Sequence, residues 1–214
     1  MNKLEEKAKY FCIDVNEGEQ LDFEALYGTK KPITLEIGSG KGEFLAIHSR
    51  VHPERNFIGI ELRTKRIITI LKKLDVVNNS NVRLLNVFVD ENVTNFIPCN
   101  SIDEIIIYHP DPWPKKRHHK RRMFQNSFLE SVKKILKQGG FIRISTDSYE
   151  YALWIKDLFD WRDDYVAMYE DGFTRITPED HFWTYFDEVQ TQEGYEPLFM
   201  LYRKCSADFQ SAKE

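Results

Sequence analysis

The sequence predicts an α/β fold built on a mostly parallel β-sheet. Three observations carry that reading. Short β-rich runs alternate with stretches whose apolar residues recur at helical spacing. The first such run ends in a glycine turn, Gly38–Gly42. Candidate ligand-binding residues then follow the ends of successive strands, which is where sheets of this class bind their ligands.

The elements follow in order. The first thirty residues are polar and poorly periodic, and residues 1–30 read as an extension to a single domain over 31–204. ITLEI (Ile33–Ile37) is the first strand, and Glu43–Arg50 after the glycine turn is helix-like. FIGIEL (Phe57–Leu62) is the second strand. In Arg63–Leu74, Ile67, Ile70, Leu71 and Leu74 share one helical face. VRLLNVF (Val82–Phe88) and IDEIIIY (Ile102–Tyr108) are the third and fourth strands. Met123–Leu136 carries Phe124, Phe128, Val132 and Ile135 on one face, and Gly139 and Gly140 close that helix. FIRIST (Phe141–Thr146) is the fifth strand and Tyr149–Phe159 another helix. Tyr165–Tyr169 and Pro197–Arg203 complete the strands, and residues 205–214 read as a loose tail.

Composition excludes several classes. The chain of 214 residues is 42% hydrophobic, enough for the core of one domain. No apolar run approaches the length of a membrane span, and the N-terminus has no apolar segment of a secretory signal. Cys12, Cys99 and Cys205 are scattered without a CxxC pair, which points to a reducing, cytoplasmic setting and gives no metal signature. The formal net charge is -4, so bulk charge argues against a nucleic-acid partner. A local patch overrides such a total, because charges in physiological salt are screened beyond about 8 Å.

The glycine turn discriminates among ligands. A phosphate-binding P-loop needs a glycine where Leu35 stands and Ser or Thr after Lys41, where Gly42 stands. A dinucleotide fingerprint needs its third glycine at Glu43, where a carboxylate repels a pyrophosphate. S-adenosylmethionine carries no phosphate, and its ammonium and sulfonium groups favour nearby acids. Gly38 and Gly40 let the backbone approach such a ligand, Glu36 lies just inside the turn, and Glu61 ends the next strand in position to accept ribose hydroxyls. The plainer reading is a strand–helix turn that needs glycine for its backbone alone.

The stretch Tyr108–Met123, YHPDPWPKKRHHKRRM, sets Asp111 among Pro110, Pro112 and Pro114, which stiffen the chain around it. Trp113 either anchors this loop or stacks on a base. Lys115–Arg122 then holds six cationic residues and two histidines in eight positions. Such a run suits RNA phosphates, and as a mere helix start it is mildly unfavourable. His118 and His119 have no partner at zinc spacing and read as part of the same surface.

Together, LEIGSGKGEF, FIGIEL, PDPWPKKRHHKRRM, the Thr146–Asp147 pair and TYFDEVQTQEGYEP resemble the bacterial tRNA (guanine-N(7)-)-methyltransferases over roughly Pro32–Lys204. The glycine turn is common to many methyltransferases; the proline-rich basic stretch is specific. The resemblance implies a class I, Rossmann-like methyltransferase fold with a seven-stranded sheet and helices on both faces. It implies S-adenosylmethionine as donor and a guanine of the tRNA variable loop as acceptor, with no metal and no membrane. It places cofactor contacts on Glu36, Gly38, Gly40, Glu61, Phe88 and Asp111, and substrate contacts on Lys115, Asp147, Thr184, Tyr185, Phe186 and Asp187. Asp111 is the candidate catalytic carboxylate, and Lys116, Arg117, Lys120, Arg121 and Arg122 are the candidate backbone-binding cations. Asp147 and Thr184 also read as helix caps. Three positions depart from the family pattern: Phe88 where a polar or acidic residue is usual, with Asp90 as a substitute; His109 for an aromatic; and Asp187 for a glutamate. A methyltransferase acting on another RNA and a non-catalytic RNA-binding module are the competing readings.

Overall fold

A computed structural model describes residues 2–16 and 18–205. Its centre is a seven-stranded sheet: β1 (Ile33–Ile37), β2 (Asn56–Ile60), β3 (Val82–Leu85), β4 (Ile102–Tyr108), β5 (Leu136–Thr146), β6 (Tyr165–Ala167) and β7 (Leu198–Lys204), in the order β3-β2-β1-β4-β5-β7-β6. The pairs β1–β2, β2–β3, β1–β4 and β4–β5 are parallel, and β7 runs antiparallel to both β5 and β6. Every residue of β1 and β2 is buried, as expected for parallel strands covered on both faces.

The period-two alternation of the strands feeds two cores. Ile58, Ile105, Ile107, Ile142 and Ile144 face α5 (Asn126–Ile135) and α6 (Tyr149–Asp160). Phe57, Val82, Leu84 and Ile106 face α3 (Glu43–Val51) and α4 (Thr64–Lys73). The chain reverses its order at β1, so the crevice between the carboxyl ends of β1 and β4 is the topological switch point.

Three expectations are corrected. The N-terminal segment is not merely an extension: Phe11 enters the core and a few partly buried apolar residues pack against it. Asn2 and Glu5 form a capping box that starts α1 (Lys3–Phe11), and Phe11 is fully buried beside α4. The ammonium of Lys7 donates to the carbonyls of Leu71 and Leu74, capping the end of α4. A second short helix, α2 (Phe23–Tyr27), follows, and Arg83 binds the Leu26 carbonyl. Secondly, Gly139 and Gly140 lie inside β5 rather than closing a helix. They shape an irregularity in its pairing with β4, and a Cβ on Gly140 would fall 2.9 Å from the Asp103 carbonyl oxygen. Thirdly, Cys205 is buried, and its N–H donates to the Asp164 carbonyl; the rest of the expected tail, 206–214, lies outside the described residues.

Candidate active site

The glycine turn leaves β1 at the switch point. The N–H groups of Gly38 and Ser39 donate to the Ile60 carbonyl at the end of β2. Gly38, Gly40 and Gly42 all have positive φ (82°, 55° and 75°), which disfavours side chains. Their surroundings separate their roles. A Cβ on Gly42 would fall 2.7 Å from Ile70, so this glycine serves the packing of α3 on α4. A Cβ on Gly38 would meet nothing within 4 Å, so open space lies in front of it. That is a cradle for a ligand that approaches backbone.

Two buried carboxylates flank the turn. Glu61 accepts from the N–H of Gly40 (2.9 Å) and of Arg63 (2.8 Å), and so fixes the turn against β2. Glu36 is enclosed, and its Oε2 has no hydrogen-bond partner. Burial pushes its carboxyl up to about 7; the nearby Ser39 hydroxyl opposes this only in part, and the charges of Glu43 and Glu61 add to it. A buried carboxylate oxygen without a partner, two residues before Gly38, suits an ammonium group from outside the protein.

On the neighbouring strand, β4 ends at Tyr108 and the backbone turns sharply. His109 takes φ 49° and Trp113 φ 43°, both in the left-handed region. Pro110 is buried and Asp111 is exposed. Lys115 precedes a 3₁₀ helix, Lys116–Arg121, that is separate from α5. Lys115, Lys116, Arg117, Lys120 and Arg121 are all exposed. Trp113 is half-buried, with the Arg121 guanidinium 5.1 Å from its ring, so it acts as an anchor within this segment. Arg122 does not belong to the cationic face. It is 3% exposed, and its guanidinium bonds the Pro112 carbonyl and Glu150. Among the described residues no cluster of His, Cys, Asp or Glu could hold a metal ion.

The last piece is the entry to α7 (Tyr185–Gln192). Thr184 donates through its N–H and hydroxyl to Asp187 Oδ2 (2.8 and 2.7 Å), and the Asp187 N–H returns a bond to the Thr184 hydroxyl. Asp187 Oδ1 lies 2.6 Å from His109 Nε2. Burial alone would raise the Asp187 carboxyl, but hydrogen bonds from His109, His181 and Thr184 hold it well below the usual carboxylate range. Asp187 therefore faces inward, and its carboxylate joins α7 to the end of β4. What the segment presents is aromatic. Tyr185 and Phe186 are exposed, the Lys41 ammonium sits 4.2 Å from the Tyr185 ring centroid, and the rings of Phe186 and His109 are 4.5 Å apart. Lys41 thus ties the glycine turn to α7, a contact between residues 144 positions apart that no local pattern marks.

The remaining candidates fall around the same rim. Asp147 is half-buried at the end of β5, and it is Ser148 that caps α6 by accepting from the Tyr151 N–H. Phe88 is 64% exposed beyond β3. Asp90 is occupied as the cap of a short 3₁₀ helix, accepting from the Asn92 N–H.

This arrangement is matched by known proteins. A family model described as a putative methyltransferase covers residues 30–185. The tRNA (guanine-N(7)-)-methyltransferase of Alkalilimnicola ehrlichii is 33% identical, over 87% of this chain and 78% of the relative. That of Thermotoga maritima is 36% identical, over 86% of this chain and 58% of the longer relative. Among solved structures, the 16S rRNA methyltransferase KamB aligns at a TM-score of 0.60 with 13% identity, over 86% of this chain and 93% of that one. An rRNA methylase from Streptococcus thermophilus aligns at 0.53 with 14% identity, over 82% and 88%. These structural likenesses establish the class I methyltransferase fold. With a third of its residues shared over most of both chains, and the site's residues gathered at the switch point of that fold, the chain belongs to the tRNA (guanine-N(7)-)-methyltransferase family.

Proposed function

We propose that this protein methylates N(7) of a guanine in tRNA, at position 46 in the variable loop, with S-adenosylmethionine as donor. The observation that carries the reading is one crevice with two differently prepared sides. Glu36, with its unpartnered buried oxygen, precedes the glycine turn and the open space at Gly38 on β1, while exposed Asp111 and the cationic 3₁₀ helix follow the adjacent strand β4.

The residues fit the cofactor. Glu36 would take its ammonium group, Gly38 and Gly40 would let its body approach the backbone, and Glu61 retains lone-pair capacity for the ribose hydroxyls while accepting from two backbone N–H groups and, at 3.5 Å, the Arg66 guanidinium. Bound there, S-adenosylmethionine supplies a methyl group activated by a positive sulfonium. Guanine N(7) is an unprotonated lone pair, so the protein needs no general base to expose it. Its work is to align the base for in-line transfer and to stabilise the positive charge that passes to the guanine. Asp111 serves both ends: as a carboxylate it offsets that charge, and it accepts from the guanine N1–H and amino group, which adenine cannot match. Tyr185 and Phe186 provide exposed ring faces for a base drawn out of the tRNA stack. Lys115 and Asp147 complete the rim, and Lys116, Arg117, Lys120 and Arg121 meet the phosphates.

The direct test is incubation with methyl-labelled donor and unmodified tRNA, followed by nucleoside analysis and mapping of the labelled position. Label in 7-methylguanosine at position 46 is the expected result. Label in another nucleoside, or in ribosomal RNA alone, would remove the reading.

A further inference from the structure

Arg122 ends the densest cationic run in the chain, yet it is enclosed. Its Nε donates to the Pro112 carbonyl (2.8 Å) and its Nη2 to Glu150 Oε1 (2.8 Å). The rings of Tyr151 and Trp154 lie 5.1 and 5.0 Å from the guanidinium carbon. A cation held this way cannot reach a phosphate. It is well suited to fixing a backbone segment, because a guanidinium presents several donors in fixed directions on a rigid plane.

The segment it grips needs fixing. Asp111 stands between His109 and Trp113, both with left-handed backbone and both bearing a Cβ. Such conformations persist only where their surroundings over-determine them. The prolines set their own φ angles but not the path of the loop through space. At one end, the His109 N–H donates to the Ser145 carbonyl and the imidazole bonds Asp187. At the other end, the hold on the Pro112 carbonyl, immediately after Asp111, is Arg122.

We propose that Arg122 is a positioning residue for methyl transfer: anchored by Glu150 on α6 and packed against the rings of Tyr151 and Trp154, it clamps the Pro112 carbonyl and so sets the place of the Asp111 carboxylate. The proposal rests on the catalytic role of Asp111 given above, and its test separates the two.

The enzyme is compared with Arg122→Lys, Asp111→Asn and the double variant, using unmodified tRNA. Lysine keeps the charge but loses the planar fork. Displacing a reacting group by about 1 Å costs up to roughly 100-fold in rate, so kcat of Arg122→Lys should fall by about 10- to 100-fold. Donor affinity, tRNA affinity and the salt dependence of tRNA binding should stay as in the parent. In the Asp111→Asn background the same substitution should cost little further rate, because no carboxylate remains to be misplaced. Glu150→Gln loosens the outer anchor at a largely exposed side chain, and it should give a smaller kcat loss in the same direction even if Arg122→Lys folds poorly. Three results would overturn the proposal. One is parental kcat per folded molecule in Arg122→Lys and Glu150→Gln, with only the melting temperature lowered. Another is weakened tRNA binding with a shallower salt dependence and intact kcat at saturation, the behaviour of a phosphate contact. The third is a full, independent rate loss in the Asp111→Asn background. Parental kcat in Asp111→Asn itself would instead overturn the catalytic reading on which the proposal stands.

Discussion

As the proposed site of the donor's ammonium group, Glu36 should make the stability and the donor affinity of this protein depend on pH in opposite senses. Its carboxyl, ordinarily at 4.5, is pushed up to about 7, first by burial and then by the charges of Glu43 and Glu61. An acid raised on folding stabilises the fold below its unfolded value, and that contribution is lost as pH rises through the folded one. Between pH 5 and 8.5 the ligand-free protein should therefore lose up to about 3 kcal/mol through this one group. For a chain of this size each kcal/mol moves the melting temperature by roughly 2–4 °C. Glu36→Gln cannot ionise, so its melting temperature should be flatter across that range. The comparison is between slopes, because a buried amide brings a constant cost of its own. The donor reverses the sign. An ammonium group prefers the ionised carboxylate, so affinity in the parent should fall by up to about tenfold for each pH unit below 7. Calorimetric titration at several pH values, beside thermal unfolding without ligand, reads both effects. Parallel melting curves for parent and Glu36→Gln, together with donor affinity that ignores pH between 5.5 and 7, would refute the argument.

The other predictions address separate parts of the site and fold. Asp111→Asn should keep tRNA affinity and lose most turnover at saturating substrates, measured in steady-state assays; retained turnover would remove the carboxylate from the reaction. Glu61→Ala should weaken donor binding by roughly 1.5–3 kcal/mol, and unchanged affinity by calorimetry would mean that Glu61 serves only the glycine turn. Replacing Lys116, Lys120 and Arg121 together by Ala should make the slope of log tRNA affinity against log salt shallower by roughly 2–3, with parallel lines the contrary result. Phe11→Ala should cost about 3–5 kcal/mol in urea unfolding, because the ring is fully buried against α4; a loss below about 1 kcal/mol would return α1 to the status of an appendage.

How much of this was legible in the sequence depended on the range of the interactions involved. The strands and the glycine turn are local: their alternation, their β-branched content and the glycines at positive φ are written in consecutive residues. That Asp111 and a set of exposed cations follow the end of β4 is local in the same way. The N-terminal helices were not. In α1 the apolar content is low, and its hold on the fold comes from Phe11 and from Lys7, whose partners at Leu71 and Leu74 are more than sixty residues away. The inward bonds of Asp187 are not legible, because a carboxylate within a substrate motif reads as a ligand contact. Its burial depends on His109, a residue conspicuous in the sequence only as a departure from the family's aromatic.

Arg122 shows where a charge run conceals a change of backbone. The 3₁₀ helix ends at Arg121, and from Arg122 (φ -60°, ψ 137°) to Gln125 (φ -132°, ψ 162°) the ends of the segment are extended. Extended backbone sends alternate side chains to opposite sides. Arg122 and Phe124 are accordingly both buried, while Met123 and Gln125 are half-buried. The sequence carries that signal faintly: a period of two beginning inside the basic run and ending at a glutamine before the apolar face of α5. Composition hides it, because six cations in eight residues read as one surface. The chain instead divides them by direction. Those on the 3₁₀ helix remain free to meet an anionic partner, and the one after it turns under the loop that bears Asp111. On the function and positioning role proposed above, the same short stretch would both bring the RNA to the site and hold Asp111 in place.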